Sequence, residues 1–271
     1  MPVRHAAGVR VWQRRARRRQ LLVWLGWLAG TLLIVASWQG IAANTMWNFV
    51  WDAPAQGADL LARMVPPRWA YTGRLWRPLW DTINIATLGT LAALVPAVPI
   101  ALLAARNTTP SAVLVRPAAL LLIVSSRSIN SLIWALLLVS IIGPGVLAGI
   151  VAIALRSIGF VAKLLYEAIE EIDRAPVEAI TATGAGRAQV VTFGIAPQVL
   201  PAFAGISVFR WDINIRESTV LGLVGAGGIG LELQSSVNVL AWPQVTMIFI
   251  LILATVVVSE AISARVRHAI I

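Results

Sequence analysis

Cysteine is absent from the 271-residue chain. That excludes a disulfide framework, Cys-ligated zinc or iron–sulfur centres, and a thiol nucleophile. Histidine is almost as scarce, with only His5 and His268, both near the termini, so little is left for metal chemistry. Charged residues make up 13% of the chain, about half the ~25% usual in soluble domains. No G-x-x-x-x-G-K-[ST] phosphate loop is present, so the chain cannot itself hydrolyse ATP by that device. No pair of acids, His cluster or Ser-His arrangement is placed for catalysis. Soluble redox enzymes and metalloenzymes are therefore set aside.

What the chain has in their place is apolar surface: 58% hydrophobic residues and a mean hydropathy of +0.80. This composition is that of a membrane protein. The net charge of +10 and the isoelectric point near 11.6 do not indicate nucleic-acid binding, because the arginines lie mostly between long uncharged runs rather than on one soluble basic face. A bilayer core needs about 20 apolar residues per helix. Six spans meet that need, at 21–38, 79–105, 117–142, 146–165, 198–220 and 240–263, with Gly143-Pro144-Gly145 separating the third from the fourth as a tight turn.

Seven arginines fall within the first nineteen residues, and short cytoplasmic segments are enriched in Lys and Arg. The N-terminus is therefore expected in the cytoplasm, with residues 1–20 forming a basic arm ahead of a first transmembrane helix at 21–38. The arm reads as a topology anchor, with acidic lipid or RNA as weaker alternatives. The apolar run after it is long for a signal peptide and the rest of the chain is itself polytopic, so the first span is expected to stay uncleaved. Alternation then places 106–116, 163–196 and the C-terminus inside, and the 143–145 turn and 222–239 outside. The outer segment 39–78 carries Arg63, Arg68, Arg74 and Arg77 but also Trp47, Trp51, Trp69 and Trp76, with Trp80 just past its end. Such a mixture suggests an interfacial hairpin along the membrane. The remaining core would then occupy 79–268.

The most informative stretch is the charged, helix-prone loop at 166–197. Glu167, Glu170, Glu171 and Glu178 suit helix, Pro176 can sit in the first turn of a new one, and Gly184 and Gly186 punctuate it. A helix-turn-helix on the membrane surface follows, with Val177, Ile180, Val190 and Val191 forming a small apolar face that wants a partner. The spacing Glu178-Ala179-Ile180, three residues, Gly184, then Pro197 resembles the EAA loop of ABC-importer permeases, with Ile180, Gly194 and Ala196 departing from the usual residues. Tyr166 to Asp173, Phe209 to Arg216, Thr219 to Gly230, Arg127-Ser128-Ile129-Asn130 and Trp134-Ala135-Leu136 extend the likeness over about residues 74–268. Together these segments resemble the permeases of phosphonate and phosphite importers.

The resemblance implies an all-α, type I ABC importer permease fold in the bacterial inner membrane, working as a homodimer. Its partners would be two cytoplasmic ATPase subunits and a periplasmic solute-binding protein. It implies no cofactor in this chain, with ATP and Mg held by the partner ATPase, and an anionic phosphorus compound as cargo. Glu178, Ala179, Thr183, Gly184 and Ala185 would meet the ATPase, a left-handed backbone at Gly184 suiting a bend. The passive alternative is that the loop is a plain connector.

Two further features stand apart from the loop. Ionisable groups inside spans are costly and usually face the bundle interior or a water path; Arg127, Arg156, Arg210, Asp212, Arg216 and Glu217 qualify, with Ser128 as polar lining. They can pair structurally or serve a translocated oxyanion, which an Arg fork suits. Arg210 and Asp212, and Arg216 and Glu217, point in different helical directions, so partners on other spans are expected. Gly225, Gly227, Gly228 and Gly230 match G-x-G-x-x-G but lie between membrane spans, where a dinucleotide site is not expected. They read as a flexible outer hairpin where helices pack closely, and as a possible gate. An importer for methionine, a quaternary amine or another small solute, and a membrane-embedded lipid or phosphoester enzyme, remain as alternatives. For topology, a single cysteine replacing Thr181 should be protected from an impermeant maleimide in intact cells and one replacing Gln56 should be labelled; the reverse pattern would invert the assignment.

Overall fold

Backbone N–H and C=O groups inside a bilayer have no water to bond, so long apolar segments close their hydrogen bonds internally as helices. The computed structural model describes residues 3–6, 8–12 and 17–270, and helices dominate it. The exception is a two-stranded antiparallel hairpin within the basic arm, β1 (Val3–Ala6) and β2 (Val9–Trp12), which pairs Val3 with Trp12 and Ala6 with Val9. Arg14 and Arg15 of the arm lie outside the described residues.

The chain divides into two units, Met1–Asp59 and Leu60–Ile271. The first contains α1 (Arg17–Asn44) and most of α2 (Trp47–Met64). At 28 residues, α1 is about 42 Å long at 1.5 Å per residue, well beyond the apolar run at 21–38. It ends where Asn44 and Thr45 donate side-chain hydrogen bonds back to the carbonyls of Gly40 and Ile41, at 3.1 and 2.6 Å.

The second unit holds α3 (Thr72–Ala104), α4 (Val115–Ser128), α5 (Ser131–Ile142), α6 (Val146–Glu170), α7 (Arg174–Ala182), α8 (Arg187–Val190), α9 (Ala196–Leu221), α10 (Ile229–Asn238) and α11 (Trp242–Ile270). Helix α6 is its spine, touching α3, α4, α5 and α9. Close approach rests on small residues, as is usual between membrane helices. Ala86, Ala93, Ala97, Ala101 and Ala104 of α3 and Ala148, Ala152 and Ala162 of α6 are buried. Gly159 of α6 lies so near α4 that a Cβ there would fall 2.5 Å from the Ile123 carbonyl and 2.8 Å from Ser126 Oγ. Ser126 Oγ, in turn, donates to the Leu155 carbonyl and accepts from the Gly159 N–H.

Two sequence expectations need correction. Among the described residues five helices are long and apolar enough to cross a membrane, and the sixth span, expected as one helix at 117–142, is α4 and α5 bent by 84°. The bend falls at Ile129-Asn130 because Asn130 caps a new helix, its Oδ1 accepting from Leu132 N–H at 3.1 Å. The span placed at 79–105 starts seven residues earlier, taking Trp76 into α3. Residues 39–78, expected as an interfacial hairpin, contain the end of α1, α2, a short 3-10 turn (Trp69–Tyr71) and the start of α3.

Overpacking a tight helix contact costs about 1–3 kcal/mol. Gly159→Leu should therefore lower the thermal unfolding midpoint in detergent clearly, whereas Gly73→Leu, at a glycine with open space around it, should leave it within error. Equal midpoints would show that the α4–α6 contact does not limit stability.

Candidate coupling loop and intramembrane charge cluster

The polar link between α6 and α9 folds as a helix pair. Asp173 caps α7, its side chain accepting from Ala175 N–H at 3.0 Å, and Pro176 sits in the first turn. The helix stops at Gly184, whose φ of +82° is costly for any residue with a Cβ. A second clamp closes the loop at its base. Gln198 of α9 accepts from Asp173 N–H at 3.1 Å and donates to the carbonyls of Asp173 and Gly194, at 3.2 and 2.7 Å.

Glu178, Ala179, Thr183 and Gly184 are exposed and Ala185 is half-buried. The apolar face expected to lack a partner has one within the chain: Val177 and Val191 pack on the cluster that includes Ile169, Ile195 and Val199. Gly194, which departs from the EAA pattern, lies beneath this face, where a Cβ would be 3.4 Å from both Val177 Cα and Ile180 Cδ1. A larger residue there would lift α7.

Sequence reasoning missed two features of this region. Phe193 is 66% exposed beside a shallow depression of about 520 Å³ lined by Thr183, Gly184, Ala185 and Gln189. Glu170, at the end of α6, accepts from Arg106 N–H at 2.8 Å and lies 3.6 Å from Arg116 Nη2, while Asn107 Nδ2 donates to the Ile169 carbonyl at 2.6 Å. These bonds bring the 105–114 loop beside α7, and a cavity of about 760 Å³ opens there, edged by Arg106, Arg174, Glu178 and Arg187.

Within the spans, α6 and α9 meet through charge. Arg156 Nη1 lies 2.5 Å from Glu217 Oε1, and Arg210 Nη2 lies 3.5 Å from Glu217 Oε2. Arg210 is enclosed rather than lining an open path: its Nε donates to Ser157 Oγ at 2.9 Å and its guanidinium carbon is 4.9 Å from the Phe160 ring centroid. Asn214, fully buried, donates to Thr90 Oγ1 at 2.7 Å and Ser157 Oγ at 3.1 Å, so α3, α6 and α9 share one polar network.

The expectation of partners on other spans is met for Glu217, through Arg156, but Arg210 finds its acid on its own helix, and so does Arg216. Its Nη2 pairs at 2.5 Å with Asp212 Oδ2 four residues back on the same helix, and Asp212 Oδ1 accepts from Ser259 Oγ of α11 at 2.8 Å. The i,i+4 spacing was visible in the sequence. Arg127 is exposed at the end of α4 with no acidic partner among the described residues, and Ser128 Oγ donates to the Val124 carbonyl at 2.6 Å.

The glycine segment is a packed turn, not a flexible hairpin. Gly225, Gly227 and Gly228 have φ of +87°, +81° and +75°. Gly230 is pressed against the Thr219 carbonyl, and Ile229 N–H donates to Thr82 Oγ1 at 2.7 Å. Ala226 and Ile229 are fully buried. The segment follows a helix, so the strand that a dinucleotide fingerprint requires is missing at that position.

The described residues thus form a helical bundle with a polar helix pair between two of its apolar helices and an internal cluster of paired charges. Residues 97–269 match the family model described as binding-protein-dependent transport system inner membrane component, and the chain belongs to that family. It is 41% identical over 210 residues to the phosphite transport system permease protein PtxC of Stutzerimonas stutzeri, covering 78% of this chain and 76% of that protein. To the phosphate-import permease protein PhnE of Mycolicibacterium smegmatis it is 40% identical over 225 residues, which cover 82% of this chain and 42% of that protein's length. Its fold is similar to the MetNI methionine ABC transporter solved in inward-facing conformations, with a TM-score of 0.66 and 20% identity over 75% of this chain and 99% of that one.

Proposed function

We propose that the chain carries phosphite, a phosphonate or a related phosphorus oxyanion inward across the membrane as the permease subunit of an ABC importer. The observation that carries the substrate class is the 41% identity to a phosphite permease across 78% of the chain. The charge cluster supports it: Arg156, Arg210 and Arg216 face only Asp212 and Glu217, and Arg127 adds a further unpaired cation. The likeness to a methionine transporter, at 20% identity, supports the fold and says nothing of cargo.

On this reading the full assembly has two copies of the chain, so that each intramembrane arginine occurs twice around one axis. Two ATPase subunits, binding ATP and Mg, sit on the cytoplasmic side with both termini of the chain, and a periplasmic solute-binding protein delivers the cargo. Glu178, Ala179, Thr183, Gly184 and Ala185 form the contact with the ATPase, and the adjacent exposed Phe193 extends it. Arg127, Ser128, Arg156, Arg216, Asp212 and Glu217 line or set the charge of the path, with Arg210 as an internal counter-charge. The Gly225–Gly230 turn acts beside them as an outer gate, moving as a packed unit.

Uptake of labelled phosphite, methylphosphonate and methionine, in cells supplied with the matching binding protein and ATPase, tests the reading. Accumulation of a phosphorus oxyanion is expected; accumulation of methionine alone would overturn it. Gly184→Trp should abolish uptake and reduce co-purification of the ATPase while membrane insertion persists, and normal ATPase recovery with full uptake would remove the loop from the contact. Arg127→Gln and Arg216→Gln should each lower oxyanion uptake several-fold with the complex still assembled. Unchanged uptake in both, or loss of the assembled protein, would make these residues structural.

A further inference from the structure

Glu217 serves two cations at once. Its two oxygens divide between Arg156 and Arg210, at 2.5 and 3.5 Å, so the three groups carry one uncompensated positive charge. The neighbouring Arg216–Asp212 pair is neutral and does not relieve it. An excess cation in a membrane interior is stable only with water access or an added anion.

The two arginines are not equivalent. Arg210, with 2% of its side chain exposed, is held by Ser157, Phe160 and Glu217 and has no room for a ligand. Arg156 keeps 29% of its side chain exposed. Beyond Glu217 its one further bond is a 3.4 Å contact from Nη1 to Ser131 Oγ, and its Nε and Nη2 have no protein partner among the described residues. Ser131 is the first residue of the 12-residue α5 after the 84° break, so the positive end of that helix lies beside the same guanidinium.

We propose that Arg156 is an anion-exchange position, an inference that rests on the oxyanion-import reading and names where the cargo is held. The phosphorus oxyanion takes the place of Glu217 on the Arg156 fork, where two oxygens of the tetrahedral group match two N–H donors. Glu217 falls back on Arg210, which keeps the carboxylate compensated, and the Ser131 hydroxyl, which donates to Asn130 Oδ1 at 3.3 Å, turns to a third oxygen. One bound monoanion brings the triad to neutrality. When the cargo moves on, Glu217 returns to Arg156. A resident carboxylate that competes for the fork keeps the site weak enough to release its ligand, as conduction requires.

The test uses the permease–ATPase complex in lipid nanodiscs, titrated with phosphite and followed by phosphorus NMR line broadening, with methionine as competitor. Glu217→Gln removes the competing carboxylate and should tighten phosphite binding at least threefold. Arg156→Gln should weaken it at least tenfold, and Arg156→Lys, which keeps the charge and loses the fork, several-fold. A merely structural ion pair predicts a different pattern, with both partners' variants weakening binding and melting together. Unchanged or weaker binding in Glu217→Gln, or unchanged binding in Arg156→Gln, would overturn the proposal.

If Glu217→Gln does not assemble, Glu217→Asp carries the test. Its shorter side chain cannot reach both arginines and should also bind phosphite more tightly; failure of both to assemble makes Glu217 structural and overturns the proposal. A wild-type complex that binds methionine and not phosphite overturns the import reading itself. Wild-type binding of phosphite with unaltered affinity in the variants overturns only the exchange position.

Discussion

An arginine carried into a membrane interior without a counter-charge costs about 3 kcal/mol on insertion scales, and α6 and α9 bring two together, Arg156 and Arg210, with Arg216 exposed beside them. Their compensation fixes how those helices meet. Glu217 reaches across to Arg156 and along its own helix to Arg210, so the α6–α9 contact cannot slide by a turn without stranding a charge. Asn214, Ser157 and Thr90 extend the same constraint to α3 through neutral hydrogen bonds. Asp212 extends it to α11 through Ser259. Around this polar centre the closest helix approaches are made at alanine and glycine, with Ile85, Ile123, Ile153 and Val161 filling the space between them, and such contacts set distance but carry little direction.

The two helices that hold the charges are also the two that the exposed helix pair joins. Arg156 and Glu170 lie fourteen residues apart on α6, about 21 Å at the helical rise, and Gln198 ties the start of α9 to Asp173, the cap of α7 three residues beyond α6. Helices α6 and α9 are thereby joined at the ends from which the helix pair projects. Glu170 adds the 105–114 loop to the same base. Val177 and Ile180 lie in van der Waals range of a Cβ at Gly194, so the helix pair is seated on the bundle rather than held away from it.

Much of this was legible in the sequence because it is local. Apolar runs of bilayer length, an Asp and a Pro at a helix start, and a glycine at a helix end each carry their meaning within a few residues, and the fold places them accordingly. The break between α4 and α5 was equally local, since Ser128-Ile129-Asn130-Ser131 is cap-like chemistry, but a hydropathy window averages over it. The Arg216–Asp212 pair followed from i,i+4 spacing and was passed over in favour of partners on other spans. Phe193, Glu170 and Gly194 were not legible in the same way. Their roles come from neighbours ten to sixty residues away in the chain, and no periodicity announces such contacts.

The glycine segment shows how one composition takes its meaning from what precedes it. After a strand, G-x-G-x-x-G brings a backbone close to a pyrophosphate; here it follows α9 and brings one end of the bundle close to itself. Three of its residues have positive φ, and Gly222 and Gly230 approach until a Cβ on either would collide with backbone. Helix α9 ends about one helical turn after Glu217, at Leu221, and Thr219, which lies between them, has its carbonyl pressed against Gly230. The end of α9 is thereby fixed to α10 and, through Thr82, to α3. A helix anchored this closely to its carboxylate holds Glu217 at a set depth beside Arg156, so the glycines contribute to the charge cluster by position even though none of them touches it.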